Sequence, residues 1–130
     1  MASIVERLRD LLAGREDVTL ALLFGSHARG EATAASDVDI AVAARPSVDL
    51  LTLAHELGRA LERDVQIVRL DDASIPLLEE LVRDATAVHE AQPSTYGRWR
   101  ARTLSMLETD RPWFARMRDA WLQRVAERGL

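Results

Sequence analysis

The chain has 130 residues, 48% of them apolar and 29% charged, with no cysteine and a net charge of −4. That length suits one domain with a real core. The acidic balance argues against direct nucleic-acid binding, no apolar run reaches the roughly 20 residues of a membrane span, and the missing cysteines exclude a disulfide framework and fit a cytoplasmic protein.

Ser3 and Glu6 have the spacing of a capping box, and Ile4, Leu8, Leu11 and Leu12 then follow at helical intervals. These first residues carry acids early and lack the apolar block of a leader, so they read as a native helix, stopped by Gly14. VTLALLFG, 18–25, is a continuous apolar run, the mark of a strand covered on both faces. DVDIAVAA, 37–44, is a second strand closed by Arg45-Pro46, and an amphipathic helix is expected from Ser47 to about Arg63. DVQIVRL, 64–70, is a third strand; a helix near 75–83, capped by Ser74, leads to a weaker strand at TAVHE, 86–90. From about Ser94 the chain is helical, with a break expected near Asp110–Pro112 because proline cannot continue the hydrogen-bond ladder. Alternating strands and helices imply an α+β (α/β-like) domain: a small mixed β-sheet flanked by helices, with a core over about 1–92 and C-terminal helices over about 93–130.

Asp37 and Asp39 are two apart on a strand, so both leave the same face, while Val38, Ile40 and Val42 face a core. Side-by-side carboxylates repel, and burial makes that repulsion costly unless the face is solvated or a cation neutralises it. Oxygen ligands without His or Cys suit Mg²⁺. Asp64 heads the next strand, and pairing could bring it beside the other two, giving the three carboxylates of a two-metal phosphoryl-transfer site. An isolated D-x-D, however, more often lies on a solvated edge. The upstream turn changes that weight. In LLFGSHARG, Gly25 permits close approach of a ligand to the backbone, Ser26 can cap a helix and offer a hydroxyl, and Arg29 stands one turn further on. Every basic residue is an arginine, so lysine chemistry is excluded and phosphate must be held by arginine, backbone amides or metal.

Ten residues separate Ser26 from Asp37-Val38-Asp39. The pattern G-S-x10-D-x-D, as GSHARGEATAASDVDIAV, resembles the DNA polymerase beta-like nucleotidyltransferase superfamily and, within it, the minimal nucleotidyltransferases. The resemblance covers nearly the whole chain, with the C-terminal helical part similar only in general character. It implies one nucleotidyltransferase domain over 1–130 in which Asp37 and Asp39 hold two Mg²⁺ ions when nucleotide is bound. Asp64 would complete the metal nearer the acceptor and help take up a proton. Gly25 and Ser26 would seat the ATP phosphates with help from Arg29. Stand-alone proteins of this size resemble the antitoxins of HEPN–MNT pairs, which transfer AMP from ATP to a tyrosine of a HEPN ribonuclease toxin. The rival readings are transfer to a small-molecule or RNA hydroxyl, and neutralisation of the toxin by binding alone.

His27 is expected to be solvated, His55 and His89 structural, and Asp71-Asp72 unable to share a metal because adjacent residues face opposite ways. Trp113, Met117 and Trp121 share one helical face. The expected role of that stripe is packing on its own domain, with docking of a partner as the rival.

Overall fold

The computed structural model describes residues 3–128, with the side chains of 110–114 and 128 outside the description. Ser3 opens helix α1 (Ile4–Leu12) by accepting the Glu6 amide at 3.1 Å. Strand β1 (Val18–Phe24) follows, then the one-turn helix α2 (Ser26–Arg29) and strand β2 (Val38–Ala44). Helix α3 (Leu50–Leu61) begins later than expected: Asp49, not Ser47, caps it, taking the amides of Leu51 and Thr52. Strand β3 (Val65–Arg69), helix α4 (Ile75–Asp84, capped by Ser74) and strand β4 (Thr86–Glu90) complete the core. Helix α5 then runs Thr95–Arg128.

The expected break in α5 is absent, for the helix continues through Pro112. A proline removes one ladder bond and crowds one carbonyl. The 34-residue helix keeps the rest of its ladder on both sides.

The sheet has the order β3-β2-β1-β4, with β1 antiparallel to both β2 and β4 and β2 parallel to β3. It is therefore the mixed sheet expected. β1 is central, and Leu20 to Leu23 are all buried, as its unbroken apolar run requires. On one face Leu8 and Leu12 of α1 and Leu53, Leu57 and Leu61 of α3 pack on Val38, Ile40 and Val42. On the other face Leu77, Leu78 and Leu81 of α4, with Tyr96 and Trp99 of α5, cover Leu20, Leu22 and Ala41. Each fully buried leucine contributes about 1.5–3 kcal/mol, so these two layers fix in place the sheet that carries Asp39 near the start of β2.

Among the described side chains of α5, those that join this packing lie in its first half. Thr103 and Leu107 are buried, whereas Met117 and Trp121 are 48% and 55% exposed. The expectation that the late aromatic stripe is core fails for these two residues, because the helix outruns the sheet it packs on. The side chain of Trp113 lies outside the described residues.

Candidate active site

The turn from β1 into α2 is built on a conformation that side chains disfavour. Gly25 is buried with φ 76° and ψ −153°. A Cβ on it would lie 2.6 Å from Asp39 Oδ2, so glycine alone lets the backbone of this turn press against that carboxylate. Gly25 is also the N-cap; Ser26, expected to cap, is instead the first helical residue. Its carbonyl takes the amide of Glu31, past Gly30 in the left-handed conformation that ends the turn. The amides of Ala28 and Arg29 bond to Gly25 O at 3.1 and 3.2 Å. Those of Ser26 and His27, by helix geometry, have no intrahelical acceptor.

Asp39 faces this turn because strand alternation buries Val38 and Ile40 on the α1/α3 side, and β1–β2 pairing sets Phe24 opposite Asp39. Asp39 is half-buried and Asp37 exposed. Burial pushes the Asp39 carboxyl up, and the charges of Asp37 and Glu80 add to that, while His27 and Arg29 oppose it. Neither aspartate side chain has a hydrogen-bond or ion-pair partner among the described residues. Two adjacent, unpartnered oxygen donors, one of them desolvated, fit a hard divalent cation such as magnesium.

Asp64 lies beside Asp37, with which it lines a cleft, rather than across from Asp39. β3 begins one residue later, and the parallel register sets Val65 against Val38 and Gln66 against Asp39. Asp64 is tied through its backbone, its carbonyl accepting the Val38 amide at 2.9 Å. Among the described residues no group of three His, Cys, Asp or Glu side chains is arranged to hold a metal. The side chain across from Asp39 is thus the amide of Gln66, a residue the sequence reading passed over although strand alternation pointed to it.

Arg29 does not hang free at the turn: Nε donates to Glu31 at 3.1 Å and Nη1 to Glu80 of α4 at 3.2 Å. Glu80 had no sequence signal, since it reaches the site by helix packing alone. His27 is half-buried rather than solvated and lies 3.4 Å from Ser36 O, at the edge of hydrogen-bond range. His89 is structural, with Nε2 at 3.0 and 2.9 Å from the carbonyls of Arg15 and Val18. His55, expected to be structural, is exposed on α3 and lines a cleft beside Asp37.

Residues 6–94 match the family described as Polymerase beta, Nucleotidyltransferase. The protein adenylyltransferase MntA of Shewanella oneidensis is 38% identical over 82 residues, 61% of this chain and 57% of that relative. The chain therefore matches little more than half the length of this curated relative. Among solved structures, a toxin–antitoxin with AMP-PNP is similar at a TM-score of 0.70 and 28% identity, covering 91% of this chain and 98% of that one. A tri-AMPylated Shewanella oneidensis HEPN toxin in complex with an MNT antitoxin is similar at a TM-score of 0.60 and 28% identity, covering 91% and 92% of the two chains. No helix among the described residues is long and apolar enough to cross a membrane. With its motif turn, its paired aspartates and a match that spans the sheet, this chain belongs to the polymerase beta nucleotidyltransferase family.

Proposed function

We propose that the chain is a magnesium-dependent protein adenylyltransferase, an antitoxin of the cytoplasm that transfers AMP from ATP to a tyrosine hydroxyl of a HEPN-domain toxin and so silences it. The observation that carries this reading is the contact of the Gly25 turn with the Asp39 carboxylate, beside the unpartnered Asp37. A phosphate seat thus abuts a cation seat. The similarity to an adenylyltransferase and to toxin–antitoxin structures supports the choice of AMP and of a protein acceptor.

In this reading Asp37 and Asp39 hold the metal, which when bound draws negative charge from the phosphoryl oxygens. The Ser26 and His27 amides and the Ser26 hydroxyl receive the terminal phosphates, and Gly25 keeps the space between turn and carboxylate clear. Arg29 adds positive charge to the same region once the triphosphate competes with Glu31 and Glu80 for it. Asp64, on the β3 side, takes the proton from the attacking hydroxyl.

The test is intact-mass measurement of the HEPN partner after incubation with ATP and Mg²⁺. The wild-type chain should add AMP to it, and the double variant Asp37→Asn, Asp39→Asn should add none. Neutralisation by contact is the second reading, favoured by the exposed Met117, Trp121 and Leu122 on α5. Under it the double variant would still protect cells from the toxin.

A further inference from the structure

Helix α4 covers the sheet face built from Leu20, Leu22 and Ala41. Ala41 stands two residues along β2 from Asp39, so α4 lies over the face that presents this carboxylate. Glu80, one helical turn after the inward Leu77, reaches Arg29 across 51 positions of sequence. The Glu80 side chain is 29% exposed and that of Arg29 34%, whereas Glu31, the other acid on Arg29, is 65% exposed. Nε and Nη1 of the guanidinium donate to these two carboxylates. Nη2 has no partner among the described residues, so both of its hydrogens remain for an anion.

An ion pair at this exposure adds little to stability. Its acid is also awkwardly placed, because Glu80 brings a further negative charge toward Asp37 and Asp39. Behind burial and Asp37 it raises the Asp39 carboxyl, whereas Arg29, behind His27, lowers it. Among the described residues Glu80 joins no group of three acids arranged to hold a metal. Alone, its charge would repel a triphosphate. Glu80 can favour one only through the guanidinium that it holds.

We propose that Glu80 is a positioning residue for nucleotide binding: it fixes the Arg29 guanidinium beside the Gly25 turn, with Nη2 open to the terminal phosphates of ATP. The assignment rests on the adenylyltransferase reading above, in which the triphosphate competes with two carboxylates for Arg29. That competition is unequal. Glu31 stands on an exposed loop and gives way, while Glu80 is sheltered on the ten-residue α4 and holds. An arginine loses rotamer freedom when it grips an anion, and a carboxylate that has already ordered it removes part of that cost from binding.

Calorimetry of the full chain with AMP-PNP and Mg²⁺ tests this. Glu80→Ala should raise the Kd about three- to tenfold, the effect of having to order one long side chain on binding. Glu80→Gln keeps an acceptor oxygen for Nη1 and should stay within about twofold of wild type. Glu31→Ala should not raise the Kd. In an Arg29→Ala background Glu80→Ala should have no further effect, because the group it acts through is gone. Alanine favours a helix, so Glu80→Ala should fold and melt near wild type. In AMP transfer the KM for ATP should rise with the Kd, while the KM for the HEPN partner should not move. A Kd that Glu80→Ala leaves unchanged or lowers, or raises equally with and without Arg29, overturns the assignment. A wild-type chain that binds AMP-PNP but transfers no AMP overturns the adenylyltransferase reading, and the Kd comparison still decides the role of Glu80.

Discussion

Asp39 shows how a site residue works against its own fold. Burial first, then the charges of Asp37 and Glu80, raise its folded pKa above the ordinary value of 3.8. The folded chain then binds the proton more tightly than the unfolded one, so stability falls as pH rises from 3.8 through the folded pKa. In chelator at pH 7, Asp39→Asn should therefore melt above wild type, and the gap should close as pH is lowered toward 3.8. A gap that ignores pH would mean that the ionised carboxylate costs nothing there. Gly25 makes the complementary case. Gly25→Ala forces a left-handed φ on a side-chain residue and sets its Cβ 2.6 Å from Asp39 Oδ2. Urea denaturation should register a loss of about 1–3 kcal/mol, and AMP-PNP binding should fall with it. Both residues were legible in the sequence, because a glycine after an apolar run and acids at alternate strand positions are local signals. Glu80 was not, since its contact with Arg29 joins residues 51 apart in the chain.

Elements rest on signals of different reach. The capping serines of α1 and α4 act over three residues and were readable. The start of α3 was misplaced because Ser47 and Asp49 compete as caps, and the carboxylate, which takes two amides and the Thr52 hydroxyl, prevails. Asp49→Ala should lower stability by about 1 kcal/mol in chemical denaturation, while Ser47→Ala should leave it unchanged within error. The third strand carries the larger lesson. Its existence was plain from VQIVR, but Asp64 and Gln66 are two apart and leave the same face, so which of them meets Asp39 depends on the pairing register. The parallel pairing set Gln66 there, leaving Asp64 at the strand's head beside the cleft.

For the molecule as a whole, the described side chains of α5 divide into a packed group early in the helix and an exposed group later in it. Thr103 and Leu107 are buried, but Met117, Trp121 and Leu122 are 48%, 55% and 50% exposed. A chain ending at Thr109 should accordingly keep its sheet and melt within about 4 °C of the full chain, the shift expected for less than about 1 kcal/mol. A drop far beyond that would show that the last turns support the core. The sequence by itself determined the alternation of strands and helices, the two-faced burial of β1, and the turn-to-aspartate spacing, because each is written in periodicity or in side-chain type over a few residues. Tertiary structure decided the partner of Asp39 across the strands, the capture of Arg29 by Glu80, and the cleft between α3 and the loop before β2. These depend on strand register and on how helices seat against the sheet, and both are set by the burial of many distant side chains at once.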